Sequence, residues 1–213
     1  MEKFPTFTDD LKSELQWLEN NKEKTEKISG IKQQKFLLFY NLFLKAKFQK
    51  ANFIGLCAWN NGPVYTQFHA AVKHYYTIEE IISSIKTPTT LDESLAKIAK
   101  FVIELLTDEE VSELTHKFDF WQIIDNNYEN NEINLEKLSK NDERQIKKIL
   151  QAYNIEFINQ HKVYKTGKAT FLINKNEYEF VLKNFSQKLA KIKNDKPIKI
   201  ELNSINLTKT KEA

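Results

Sequence analysis

The 213-residue chain carries 32 basic and 29 acidic residues, a net charge of +3, with 41% hydrophobic residues and 15 Phe. That much apolar material excludes a disordered chain and suffices for one main domain, or a core domain with an appendage. With 4 Gly and 4 Pro a turn-rich β architecture is disfavoured, and the composition favours long helices with few sharp corners.

The basic set contains one Arg, Arg144, and 31 Lys. Lysines spread beside glutamates solvate helix faces, whereas nucleic-acid surfaces concentrate Arg and aromatics in a patch, so nucleic acid is a disfavoured partner. The single cysteine, Cys57, has no partner for an intramolecular disulfide and sits among small apolar neighbours, Gly55, Leu56 and Ala58, as a buried thiol would. MEKFPTFTDD lacks a hydrophobic core region, and no apolar run approaches the about 20 residues that cross a bilayer. The expectation is a cytoplasmic protein without a membrane partner.

In chain order, a first helix is predicted from about Asp9 to Asn21, capped by Thr8, with Leu11, Leu15 and Leu18 at helical spacing and Trp17 widening the stripe. The charged connector NKEKTEKISG precedes IKQQKFLLFYNLFLKAKF, apolar nearly all round from Phe36 to Leu44 and therefore the expected central helix. NFIGLCAW reads as an extended link broken by NNGP. Pro63 then fits the first turn of a helix VYTQFHAAVKHYY, with Val64, Phe68, Ala71, Val72 and Tyr75 toward the core. TIEEIISSIK reads as a short helix capped by Thr77, and Leu91 to Leu106 as a periodic helix presenting Leu95, Ile98, Val102, Leu105 and Leu106 inward. Thr107 and Glu110 have capping-box spacing and open a helix carrying VSELTHKFDFWQII. DNNYENNEIN reads as a polar loop, and NDERQIKKILQAY as an amphipathic helix using Ile146, Ile149, Leu150 and Tyr153.

Beyond it the chain changes character. HKVYKTGKATFLI reads as a hairpin around a Gly turn, NEYEFVLKNFSQKLAKI as a helix, PIKIEL as a last strand, and the tail from about Leu207 as frayed. The predicted fold is mostly α. A compact multi-helix domain surrounds the central hydrophobic helix over residues 1–154, and residues 155–213 form a small α+β C-terminal extension.

Catalytic patterns do not converge. His69 and His74 lie about 140° apart around a helix, too far to share a metal, and there is no HExxH, GxxxxGK[ST], GxGxxG or GxSxG pattern. A Cys57–His69 nucleophile and base pair is conceivable from residue types, but a cysteine among small apolar residues is more often inert. Acidic pairs such as Glu79 and Glu80 sit at helix starts, where they complement the dipole. The reading is of a non-enzyme with no catalytic residues, no metal and no cofactor.

Three separated segments carry a family resemblance. QQKFLLFYNLFLKA resembles the KLLYF-type helix, AWNNGPVY the AW-x-x-GPV-x turn, and LTDEEVSELTHKFDFW the L-S-x-x-x-L-S-x-LTH-x-x-x-x-W segment of SocA-like Panacea domains, formerly grouped with phage-associated proteins. Order and spacing agree over roughly Leu11 to Tyr153. The matching residues are Lys35, Leu37, Leu38, Phe39 and Tyr40 in the core helix; Trp59, Gly62, Pro63, Val64 and Tyr65 in the turn; and Leu114, Thr115, His116 and Trp121. Asn61 departs from the aromatic or basic residue that often precedes the Gly-Pro, and the tail from Ile155 lies outside the resemblance.

The resemblance implies a compact helical domain without known catalytic activity, the antitoxin half of a toxin–antitoxin pair. Its partner would be a cognate protein toxin encoded by an adjacent gene and bound directly. Two alternatives stay open: an adaptor that hands a bound toxin to a cellular protease, and a phage- or prophage-associated interaction protein. Large rings at Trp59 and Trp121, a tight backbone at Gly62, and Thr115 with His116 bonding across to the turn would make one polar and aromatic cluster. Trp59 and Trp121 read as core before binding; His116 reads equally as either. The C-terminal extension is the candidate partner-specific element.

Overall fold

In the computed structural model, residues 7–23, 27–74, 76–122, 131–166, 169–193 and 197–200 are described. Helices dominate, in the order α1 (Asp9–Asn20), α2 (Gly30–Phe48), β1 (Leu56–Trp59), β2 (Gly62–Tyr65), α3 (Thr66–His74), α4 (Ile78–Ser83), α5 (Glu93–Leu105), α6 (Asp108–His116), α7 (Asp119–Gln122), β3 (Asn131–Glu132), α8 (Lys140–Ala152), α9 (Ile155–Gln160), β4 (His161–Thr166), β5 (Ala169–Asn174), α10 (Tyr178–Leu189) and β6 (Ile198–Ile200). Helix starts follow local chemistry. Thr8, Ser29, Thr77, Asp92, Thr107, Ser139 and Asn154 each accept a backbone N–H of the first turn, and Thr77–Glu80 and Thr107–Glu110 close full capping boxes.

α2 is the axis of the molecule. Every residue from Gln33 to Phe43 is buried, and the helix packs against α1, α5, α6, α8 and β2. An element enclosed on all sides cannot be amphipathic, which is why its apolar residues run right round it. The polar residues on this axis are partnered. Asn41 donates to Glu14 (2.7 Å) and accepts the Asn52 backbone N–H (2.7 Å), tying α1 and the segment after α2 to the same side chain. Burial pushes the Glu14 carboxyl well above its usual range.

The segment 56–65 departs from expectation. Pro63 does not open a helix: β1 and β2 pair antiparallel, Leu56 with Tyr65 through Trp59 with Gly62, and α3 begins only at Thr66. The β2 edge therefore needs partners, and proline suits a position where no N–H has to be satisfied. β3 pairs with the other side of β1, Cys57 with Glu132 and Ala58 with Asn131, so the polar segment expected to be loop contributes an edge strand at its end. Phe68 and Ala71 are buried as expected, but Val72 is 37% exposed, and Tyr75 lies outside the described residues. The predicted run through Trp121 is two helices, α6 and α7, separated at Lys117 and Phe118.

The last part of the described chain holds an antiparallel β4–β5 pair with β6 added parallel to β5. β5 alternates: Ala169, Phe171 and Ile173 join Val181, Leu189 and Ile200 in a small cluster, while Leu172 points the other way into the main core. The short helix α9 was not legible in the sequence, and the expected Gly167 turn and the tail from Leu207 fall outside the described residues. Among the described residues no helix is long and apolar enough to cross a membrane.

Candidate functional site

The three motif segments meet at the β1–β2 hairpin. Its outer edge faces α2, and α2 supplies side chains where a further strand would supply peptide groups. Gln34 Oε1 accepts the Tyr65 N–H at 2.9 Å and Gln34 Nε2 donates to the Tyr65 carbonyl at 3.2 Å. Two residues earlier on the same edge, the Pro63 carbonyl accepts Lys35 Nζ at 3.0 Å. This alternation is that of an antiparallel edge, where every second residue turns its backbone outward. Val64 turns its backbone toward β1 and its side chain is buried at the wall of a neighbouring cleft, and the Tyr65 hydroxyl donates to the Asn52 carbonyl at 2.8 Å.

Lys35 is 1% exposed. Burial disfavours its ammonium form and brings its pKa down to about 7. Leu37, Leu38, Phe39 and Tyr40 fill the core around the same helix, and the Tyr40 hydroxyl accepts the Asp92 N–H at 2.9 Å, the cap of α5. Their role is packing.

Gly62 is the tightest point of the corner. Its φ is +92°, a conformation side chains rarely adopt. A Cβ there would overlap Thr115 Oγ1, well inside van der Waals contact distance, and lie 2.6 Å from Lys35 Nζ. The hairpin thus approaches α6 through a glycine because no larger residue leaves room for Thr115. Thr115 itself does not bond across to the turn as expected: its hydroxyl donates to the Ser112 carbonyl of its own helix at 2.8 Å.

The cross-link is made by Trp121, whose Nε1 donates to the Trp59 carbonyl at 3.1 Å. The His116 ring stacks on Trp121 at 3.9 Å, and Gln122 donates to the His116 carbonyl at 3.0 Å. Burial first, then the Lys35 charge, holds the His116 imidazole below its ordinary value, offset in part by the Asn60 backbone. Leu114 packs partly buried against the main core. Trp59 Nε1 and His116 Nε2 are buried without a hydrogen-bond partner among the described residues.

Beside the corner opens a cleft of about 610 Å³ between the start of α2, the hairpin turn and α3, walled by Ile31, Trp59, Val64, Phe68, His69 and Val72. Trp59 and His69 rings lie 4.8 Å apart. Ser29 at the mouth donates to Asp108 at 2.9 Å, joining the starts of α2 and α6. Gln34 and this cleft were missed at the sequence level. The Asn-Gly dipeptide between two short apolar runs was the signal available for the hairpin, and nothing comparable marks Gln34.

Burial is the main cause that pushes the Cys57 thiol up, away from the thiolate a nucleophile needs. Among the described residues no group of three His, Cys, Asp or Glu could hold a metal ion. Comparison with family models, with curated proteins and with solved structures finds no match.

Proposed function

We propose that the chain is an antitoxin that neutralises a protein toxin by direct binding, with the hairpin corner as the contact region. One observation carries the reading: three sequence segments that resemble the Panacea motifs, spread over residues 35–121, converge on one corner beside an apolar cleft. Apolar clefts with a few fixed polar groups are where small proteins take ligands and partner side chains. Trp59, half-buried on the wall of the cleft, supplies the large amphipathic surface typical of interface anchors. The C-terminal extension, with its own small core, is the part free to vary with the partner.

Co-expression with the product of each flanking gene tests the reading. The expected outcome is rescue of growth from one toxic neighbour and co-purification of the pair, with a Trp59→Ala chain that still folds losing both. Failure with every neighbour overturns it. A toxin half-life shortened by the chain would replace inhibition by binding with delivery to a protease; an unchanged half-life keeps it.

A further inference from the structure

A second cleft, of about 660 Å³, lies between the helical body and the C-terminal sheet and shares no lining residue with the first. Seven lysines and two glutamates line it. Both glutamates are already engaged: Glu104 pairs with Lys100, and Glu23 with Lys162 at 3.7 Å, whose ammonium also lies over the Tyr178 ring. Lys97 pairs with Glu93 at 3.5 Å. Lys27, Lys32, Lys165 and Lys175 remain, and among the described residues none has a carboxylate at ion-pair distance.

Two of these four are held together. Lys165 Nζ donates to the Leu106 carbonyl, at the end of α5, at 2.8 Å. That bond fixes the ammonium in the cleft that Lys32 also lines; burial first, then the Lys32 charge, brings the Lys165 pKa down to about 8, offset in part by the Glu110 and Asp108 charges. Free lysines in water would swing apart, because like charges at short range cost energy and their long stems are flexible. An anion between them removes the repulsion and fills donor positions that the protein leaves open.

We propose that this cleft binds a small ligand carrying several phosphate charges, of the nucleoside polyphosphate class, gripped by Lys32 and Lys165 with Lys27 and Lys175 at the rim. Phosphate fits better than a single carboxylate, since several lysines without an ion-pair partner among the described residues face one cleft and a polyphosphate brings several negative charges in one small group, with compact ammoniums able to meet it as point charges. A small molecule fits better than a nucleic-acid strand. The volume lies within the range of ligand pockets, and the aromatics of the lining have partners within the chain: Trp17 stacks on Phe36, Phe101 is buried against Tyr153, and Tyr178 lies under Lys162, which leaves no free row of rings on which a strand could stack. This ligand site does not rest on the antitoxin reading, because this cleft and the one at the hairpin corner share no lining residue.

The full chain is titrated with sodium tripolyphosphate and with ATP, by calorimetry and by thermal shift, at roughly 50 and 200 mM salt. Hexaglutamate and a short single-stranded oligonucleotide are the competing probes. The expected result is saturable binding of tripolyphosphate or ATP that raises Tm, weakens with salt, and weakens at least about tenfold in Lys32→Gln, the loss expected when one charge-assisted contact is removed. Lys165→Met, which keeps the apolar stem, should weaken binding similarly, and Lys73→Gln in the other cleft should leave it unchanged. No binding at the lower salt, equal binding by Lys32→Gln, or tighter binding of hexaglutamate or the oligonucleotide would overturn the proposal. If Lys165→Met does not fold, Lys32→Gln alone decides.

Discussion

At the scale of single residues, Gly62 and Lys35 make opposite demands on one point. Gly62→Ala adds a methyl where Thr115 and Lys35 already sit and forces a side chain into positive φ. The expected loss is roughly 3 kcal/mol of unfolding free energy, from backbone strain and overpacking together, measured by urea denaturation. Lys35 gives a pH signature. Its pKa falls from 10.5 unfolded to about 7 folded, so between those values the unfolded chain holds the extra proton and stability rises with pH; below about 7 both states are protonated and this contribution is flat. Lys165, at about 8, adds a rise of the same sign above that pH. The raised phenols of Tyr65 and of Tyr40, pushed up to about 12, oppose it once unfolded tyrosines ionise. Lys35→Met should therefore remove one proton's worth of slope from the stability profile between about 7 and 10.5, the folded and unfolded values, a loss visible in denaturation midpoints. The sequence picks out Gly62, Lys35, Thr115 and Trp121 as residues to watch, but not their partners. Nothing in a string of letters says that Lys35 reaches Pro63, or that Trp121 and not Thr115 spans to the hairpin.

At the scale of elements, helices were more legible than strands. Caps and apolar spacing mark α1, α2, α4, α5, α6 and α8 because those signals lie within a few residues of one another. In the sequence the hairpin resembles a link and a helix, because Pro after Gly suits a helix start as well as a sheet edge; only the side chains waiting on α2 decide between them. Two-residue β3 has no local signal at all, since its pairing with β1 is fixed by a chain more than sixty residues away. The Gln34 contact tests the edge directly. Gln34→Ala strips both bonds from the buried Tyr65 backbone and should cost about 3 kcal/mol, as two unsatisfied buried groups do. Hydrogen exchange at the Tyr65 amide should accelerate well before exchange in the middle of α2, and equal acceleration in both would show that the edge has no separate opening.

At the scale of the whole molecule, there are two cores of unequal size joined through β5. The larger runs from α1 to α9; the smaller lies between β5, β6 and α10. Val181 is fully buried in the smaller one. Val181→Ala should lose about 1–3 kcal/mol locally, with faster exchange across α10 and β5 and little change in α2, because so small a cluster opens below the global free energy. Uniform acceleration would mean that Leu172 welds the two into one cooperative unit. The side chains laid along β2 have a last consequence for how this corner meets other molecules. Exposed strand edges recruit strands from other chains, through backbone bonds that take little account of sequence. Here Gln34 behaves as a single peptide group lent by a helix and Lys35 as its neighbour, so that side of the sheet is already occupied by its own chain. Whatever docks against the hairpin must be chosen by the shape and polarity of side chains, a kind of recognition that a few substitutions can retarget without disturbing the scaffold.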